Sequence, residues 1–387
     1  MSQQSGFPPG SPGAKPMSPP SGPPYPPPTA AMGGRPSITV DVPITAVFLA
    51  IFVTGAVCHM TRFRINMARG HKFIPSAVTF GFCMARITAC VLRIVWANRL
   101  TNAQIAIAAQ VFIAAGVILL FILNLLYTQR IFRATHPRIG WSRAFSYAFK
   151  ALYVLIVLTL IMVITAAVQS FYTLDKDIRL IDRNLRWWGM SYFTFFSFLP
   201  IPLLAFIVLA PRREPTEQFG QGSLRAKILV AGTASVLLCL GASFRAGTSF
   251  MPPRMANNPA WYHHKACFYV FNFGIEATVV FLYFFSRVDL RFHVPNGSSK
   301  VRTYAVKNTN NNEKDDISAI NDTEAAVHIQ AMNGPHSIAC HKTSPKGGSL
   351  FFRSGSLIFM AFLFHPPRAM ISLVLIIPFH FVATPHP

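Results

Sequence analysis

Seven stretches of the chain are apolar enough, and close enough to 20 residues long, to cross a hydrocarbon layer about 30 Å thick. They are Val42 to Met60, Ile74 to Ala97, Ala103 to Tyr127, Ala148 to Phe171, Trp187 to Ala210, Ala226 to Phe250, and Ala266 to Ser286. Short polar segments rich in arginine or proline separate them. Within the second stretch the pattern is two-faced. Thr79, Cys83, Arg86, Cys90 and Arg93 recur at spacings of four and three, which places them on one side of a helix. Phe80, Met84, Ile87, Val91 and Ile94 form a bulky side next to it. The polar stripe is expected to face other helices and the bulky one lipid. The pattern predicts an all-α fold: a polytopic membrane protein built as a seven-transmembrane helix bundle.

Flanking segments read differently. Residues 1–37 are rich in Pro, Gly and Ser and are expected to form a disordered tail biased to polyproline II. Residues 38–294 make the transmembrane domain. Residues 295–387 are expected to be a mostly disordered cytosolic tail. It ends in an apolar segment, Leu357 to Ala383, that is interrupted by Pro366, Pro367 and Arg368 and reads as interfacial rather than as an eighth span.

Composition agrees with lipid as the solvent. Hydrophobic residues make up 52% and charged residues 12%, where a soluble domain carries about 25% charge. The net charge of +22 suggests nucleic acid in a soluble protein. Here the basic residues sit in short loops between spans, so no nucleic-acid partner is expected and the lipid bilayer takes that place. Their placement orients the chain. Arg62, Arg64, Arg69 and Lys72 follow the first span, Arg130, Arg133, Arg138 and Arg143 the third, and Arg212 and Arg213 the fifth. The side bearing these loops is expected to be cytosolic, with the N-terminus outside. One loop runs against the rule: Tyr172 to Arg186 holds Lys176, Arg179, Arg183 and Arg186 on the opposite side. Trp96, Trp187, Trp188 and Trp261 fall at the expected outer face, as an aromatic belt does.

Charges inside the spans are the candidate chemistry. Arg86 lies about 18 Å from the inner end of the second span at 1.5 Å per residue. Burying it costs roughly 2.5–3.5 kcal/mol on insertion scales, so it needs a partner. Glu276 is the single acid expected inside the seven cores, at similar depth, on a face of the seventh span shared with Asn272 and Tyr283. Two readings stay open: an ion pair that fixes helix packing, or the polar floor of a ligand cavity. Arg93 and Arg245 lie near the outer ends of their helices, placed either to snorkel or to attract an anionic ligand. Asn124 and Gln169 add polarity in the third and fourth spans, and Pro200 and Pro202 are expected to kink the fifth. Arg86, Arg93, Arg245, Asn272 and Glu276 are thus the candidate ligand-binding set. No cofactor or metal site is expected, because no paired His motif, Walker loop or G-x-S-x-G elbow occurs, and no enzymatic activity is expected.

Asn66, the run Arg69-Gly70-His71-Lys72-Phe73, and Gly81-Phe82-Cys83-Met84-Ala85-Arg86 on to Arg93 resemble a filamentous-fungal family of seven-span proteins of unknown function. Its members are often labelled family-C-like G-protein-coupled receptors. The resemblance covers about Val42 to Val294. It implies a seven-helix fold and a receptor label, but no established ligand. The expected function is a receptor-like or sensor-like protein of the plasma membrane, with a small-molecule ligand entering from the outer face and the basic cytosolic loops meeting a signalling partner or anionic lipid. The third span ends in Tyr127-Thr128-Gln129-Arg130 rather than D-R-Y, and the seventh lacks N-P-x-x-Y. The other function classes for such a chain are a transporter or channel and a structural or lipid-interacting protein.

Overall fold

The computed structural model describes residues 22–25, 29–71, 73–211, 216–294, 298 and 302–304. Among these residues, seven helical stretches are long and apolar enough to cross a membrane. In chain order the helices are α1 (Asp41–Ala68), α2 (Ile74–Asn98), α3 (Ala103–Thr135), α4 (Pro137–Gly140), α5 (Arg143–Tyr172), α6 (Lys176–Phe198), α7 (Pro200–Leu209) and α8 (Leu224–Phe250). A 3-10 turn (Trp261–His263) then leads into α9 (Lys265–Tyr269), a π-helical turn (Val270–Gly274), α10 (Ile275–Phe285) and α11 (Val288–Arg291). The chain is an integral membrane protein of the all-α class.

Several helices start where side chains satisfy their first free N–H groups, although α1, α2 and α4 have no such side-chain cap. Asn102 Oδ1 accepts from the amides of Gln104 and Ile105 ahead of α3, at 3.0 and 3.3 Å. Asp175 Oδ1 accepts from the Asp177 amide, 2.9 Å away, at the start of α6. Ser142 and Ser223 hydroxyls do the same for α5 and α8. Pro75 sits in the first turn of α2, where its missing N–H costs nothing.

Several boundaries differ from the hydropathy pattern. The first helix begins at Asp41, the fourth span at Arg143 and the fifth at Lys176. The segment expected to be a basic outer loop is therefore mostly helix, and only Thr173–Asp175 links α5 to α6. Apolarity dates a helix from where charge stops, whereas the fourth and fifth spans start at their Ser142 and Asp175 caps. A one-residue break falls where the kink is expected: α6 ends at Phe198 and α7 starts at Pro200, which has no N–H to donate to the preceding turn, while Leu199 between them keeps helical dihedrals.

The chain divides into two compact units. The first takes residues up to Leu125, Phe149–Pro202 and Val230–Phe285. Its core holds Phe52 between Phe82 and Phe273, at ring-centroid distances of 6.0 and 6.2 Å. Gly189 lets α6 approach α5, since a Cβ there would lie 2.1 Å from Val163 Cγ2. Thr29–Ser37, read from composition as disordered, is placed on this unit. The Ala30 amide donates to the Arg254 carbonyl at 2.8 Å and the Gly33 amide to the His263 carbonyl at 3.0 Å.

Of the described residues, the second unit takes those within Leu126–Ala148 and Leu203–Leu229, and those from Ser286 to Tyr304. Phe132 stacks on Phe145 and Phe206, and Tyr127 packs 4.6 Å from Phe292. Gly220 has φ +55° and no room for a Cβ, which would lie 2.3 Å from the Arg291 carbonyl oxygen. Tyr304 is buried here, against the expectation of disorder. Glu217 accepts from the Thr303 hydroxyl and the Tyr304 amide, at 2.7 and 2.8 Å. The terminal apolar segment, Arg212, Arg213 and Lys72 lie outside the described residues.

Candidate functional site

The polar stripe of α2 is buried as the spacing predicts: Thr79, Cys83, Arg86, Cys90 and Arg93 are all inside. Arg86 and Glu276 meet as a bidentate pair, with Nε–Oε2 at 2.5 Å and Nη2–Oε1 at 2.7 Å. Arg86 Nη1 donates to the α3 carbonyls of Ile113, at 2.9 Å, and Phe112, at 3.4 Å. Its guanidinium lies 5.3 Å from the Phe82 ring and 5.6 Å from the Phe273 ring. The guanidinium's charge and its fork of donors are thus met inside the protein, which is what a fully buried arginine requires.

Glu276 also faces Arg245, whose Nη1 lies 3.4 Å from Glu276 Oε1 and 3.4 Å from Asn272 Oδ1. Asn272 sits in the π-helical turn, where the Ile275 amide reaches back to the Val270 carbonyl. The wider turn inserts a residue and rotates the face that α10 presents by about 100°. Such turns concentrate at functional sites. Sequence periodicity carried no sign of it.

Arg93 neither snorkels nor stands free. Its Nη2 pairs with Asp41 Oδ1 at 2.7 Å, and its Nε donates to the Tyr269 hydroxyl at 3.1 Å. Its guanidinium lies 4.1 Å from the Phe268 ring centroid. Asp41 also receives Lys265 and the Tyr269 hydroxyl, the latter at 2.9 Å. Glu276 is therefore not the lone acid within the helices: Asp41 is 1% exposed and Asp182 on α6 is 2% exposed. Arg245 does not snorkel either, because Glu276 holds it inward. Asn124 pairs with the Ser235 hydroxyl at 2.8 Å, while Gln169 faces outward.

The first unit contains a half-open cavity of about 570 Å³, within the range of small-molecule sites. Five arginines line it: Arg93, Arg179, Arg183, Arg186 and Arg245. No Asp or Glu among the described residues does. Trp96, Trp187, Phe171 and Phe268 supply aromatic wall, and Thr29–Met32 with Gly34 lies along one side. His263 adds a polar group to the lining, and burial, with Arg254 nearby, pushes its imidazolium below its ordinary pKa. At neutral pH the positive charge there comes from arginine.

Of the five residues expected to bind a ligand, Arg93, Arg245 and Asn272 reach the cavity. Arg86 and Glu276 do not line it and are connected to it through Arg245. Arg179, Arg183 and Arg186 were missed as ligand-facing, because their polar surroundings read as a loop. Their spacing of four and three repeats that of Arg86, Cys90 and Arg93, a signal that the low hydropathy around them hid.

The fold and cavity thus define a polytopic integral membrane protein with an arginine-lined chamber. A family model described as "Protein of unknown function (DUF3112)" matches residues 214–293. No curated protein matches the chain. No solved structure matches it.

Proposed function

We propose that the chain is a receptor-like or sensor-like membrane protein whose ligand is a small anion held in the first unit's cavity. One observation carries the reading: five arginines, and no carboxylate among the described residues, line a half-open cavity of about 570 Å³. Asp41 and Glu276 behind the wall offset Arg93 and Arg245, and the positive charge that Arg179, Arg183 and Arg186 add at the lining draws anions into the cleft. Arg245 gives bound charge a route into the helices. Its contacts to Glu276 and Asn272 are both 3.4 Å, long enough for an anion to compete for it. Freed from Arg245, Glu276 would rest on Arg86 alone, whose other donors hold α3. The plasma membrane is the proposed location. The basic ends of α1 and α3, with Arg62 and Arg64 on the first and Arg130 and Arg133 on the second, together with the sequence pair Arg212-Arg213, are the proposed contacts for a cytosolic signalling partner.

A transporter is the second reading, favoured by the two local irregularities within spans, the proline step at Leu199 and the π-helical turn at Val270–Gly274. The test uses the purified full chain in zwitterionic nanodiscs with a panel of inorganic and organic anions and their neutral analogues. An anion at about 100 times its Kd raises stability by about 2.7 kcal/mol, while its neutral analogue does not. If no anion at millimolar concentration shifts the unfolding temperature, the reading fails. An anion that binds and then evokes a cytosolic response in cells supports the receptor. One that binds and crosses reconstituted vesicles supports the transporter.

A further inference from the structure

Charge accounting within the cavity separates its arginines. Arg93 is committed to Asp41, at 2.7 Å, and Arg245 shares Glu276 with Arg86. Arg179 donates Nε to the Thr173 carbonyl at 2.9 Å. Arg183 and Arg186 have no carboxylate within ion-pair distance among the described residues. Arg183 Nε is buried with no hydrogen-bond partner among them. Asp182 attracts Arg186 electrostatically but forms no ion pair with it and does not line the cavity. Arg183 as a whole is half-buried, but a buried donor left idle is costly, and in native proteins such groups are paired. Arg183 and Arg186 are three residues apart on α6, so they are neighbours on one helix face. The wall near them is apolar: Trp187, whose ring lies 4.9 Å from the Arg183 guanidinium, and Met190, with Ile107, Val163 and Ile164 also lining the chamber.

We infer that Arg183 and Arg186 together capture the head of an amphipathic anion, a carboxylate or phosphate ester carrying a hydrocarbon or aromatic body that packs in the apolar part of the same cavity. This rests on the anion-binding reading of the cavity and narrows it. A planar pair of guanidinium forks matches a two- or three-oxygen head, and binding supplies Arg183 Nε with the acceptor it lacks. A fully solvated small ion would satisfy the arginines but leave the apolar wall uncovered. A neutral amphiphile would do the reverse. The head group has two sources, a soluble amphiphile or an anionic membrane lipid, and the chemistry at Arg183 and Arg186 is the same for both.

The experiment is calorimetric titration of the full chain in zwitterionic nanodiscs with octanoate, octan-1-ol and inorganic phosphate. Octanoate is expected to bind at least about ten-fold more tightly than either of the others, and Arg183→Gln and Arg186→Gln each to weaken it by about ten-fold, the scale of one lost charge-assisted hydrogen bond. Arg69→Gln, outside the cavity, serves as the control and leaves the affinity unchanged. Circular dichroism and unfolding temperature confirm that each variant is folded. Should either variant fail to fold, Arg183→Lys and Arg186→Lys replace them, keeping charge but losing the fork. Octanoate and octan-1-ol binding alike, or octanoate affinity untouched in the folded variants, overturns the inference. Phosphate binding more tightly than octanoate also overturns it while sparing the broader anion reading. If none of the three probes binds, both fall. Repeating the titration in nanodiscs containing phosphatidylserine separates the sources. Competition with octanoate assigns the site to a lipid head group, and unchanged affinity assigns it to a soluble amphiphile.

Discussion

Arg86 of α2 and Glu276 of α10 form a two-point ion pair at 2.5 and 2.7 Å, with 0% and 1% of their side chains exposed. Removing one member of a buried pair strands the other and costs about 3–5 kcal/mol. The two members are not equivalent here, because Glu276 also faces Arg245. Arg86→Met leaves Glu276 with a second cation, whereas Glu276→Gln leaves two arginines without their acid. Glu276→Gln is therefore expected to lower the unfolding temperature more than Arg86→Met. The double variant should recover part of the loss. Equal single effects that add strictly would show that the pair is not coupled.

Asp41 holds two cations, Arg93 at 3% exposure and Lys265 at 28%. Asp41→Asn is expected to destabilise by about 3–5 kcal/mol, because Arg93 is left charged and buried. Lys265→Met should cost no more than about 1 kcal/mol, since that cation is partly hydrated. Denaturant unfolding in detergent reads both. A Lys265 effect as large as the Asp41 effect would move the key contact from Arg93 to Lys265.

Gly33 has φ +78°, and a Cβ added there would lie 2.6 Å from Phe268 Cγ. Gly33→Val therefore meets both backbone strain and a clash with an aromatic ring in the wall of the cavity. The segment around it should lift away. Hydrogen exchange at the Ala30 and Gly33 amides, which donate to Arg254 and His263, should rise by at least about ten-fold, as loss of about 1.4 kcal/mol of local stability implies. Unchanged exchange would show that the segment adapts in place.

Tyr304 is 3% exposed and packs 5.2 Å from Trp141 and 5.4 Å from Phe219. Burial pushes its phenol above the ordinary tyrosine pKa, so it stays neutral through the physiological range. Tyr304→Ala is expected to cost about 3–5 kcal/mol, as for a large buried ring. Tyr304→Phe should cost about 0.5–1.5 kcal/mol, the value of its hydrogen bond to Arg133. Thermal unfolding of the two variants distinguishes packing from polarity. A phenylalanine variant as unstable as the alanine one would assign the anchor to the hydroxyl.

Orientation has its own test. The sequons at Asn296 and Asn321 lie beyond the last span, on the side that the arginine-rich loops assign to the cytosol. Both should remain free of glycan in cells. A glycosidase-sensitive mobility shift that disappears with Asn296→Gln or Asn321→Gln would reverse the topology.

The sequence by itself determined the solvent, the number of spans and the inward stripe of α2, because lipid imposes a one-dimensional rule: about 20 apolar residues per crossing, with polar side chains turned from the hydrocarbon. It also paired Arg86 with Glu276, since charges within spans are so scarce that few partners exist at a given depth. The same rule hid what lay at its margins. Asp41 fell one residue outside the first apolar stretch, and Arg179, Arg183 and Arg186 fell in a helix whose opening turns are too polar to register as one. Thr29–Ser37 has the composition of a tail, yet backbone hydrogen bonds to Arg254 and His263 hold it in place. Only the tertiary structure decided which arginines are neutralised by a carboxylate and which line the cavity without one. That depends on distances between helices far apart in sequence, and residue spacing along one helix carries no information about them.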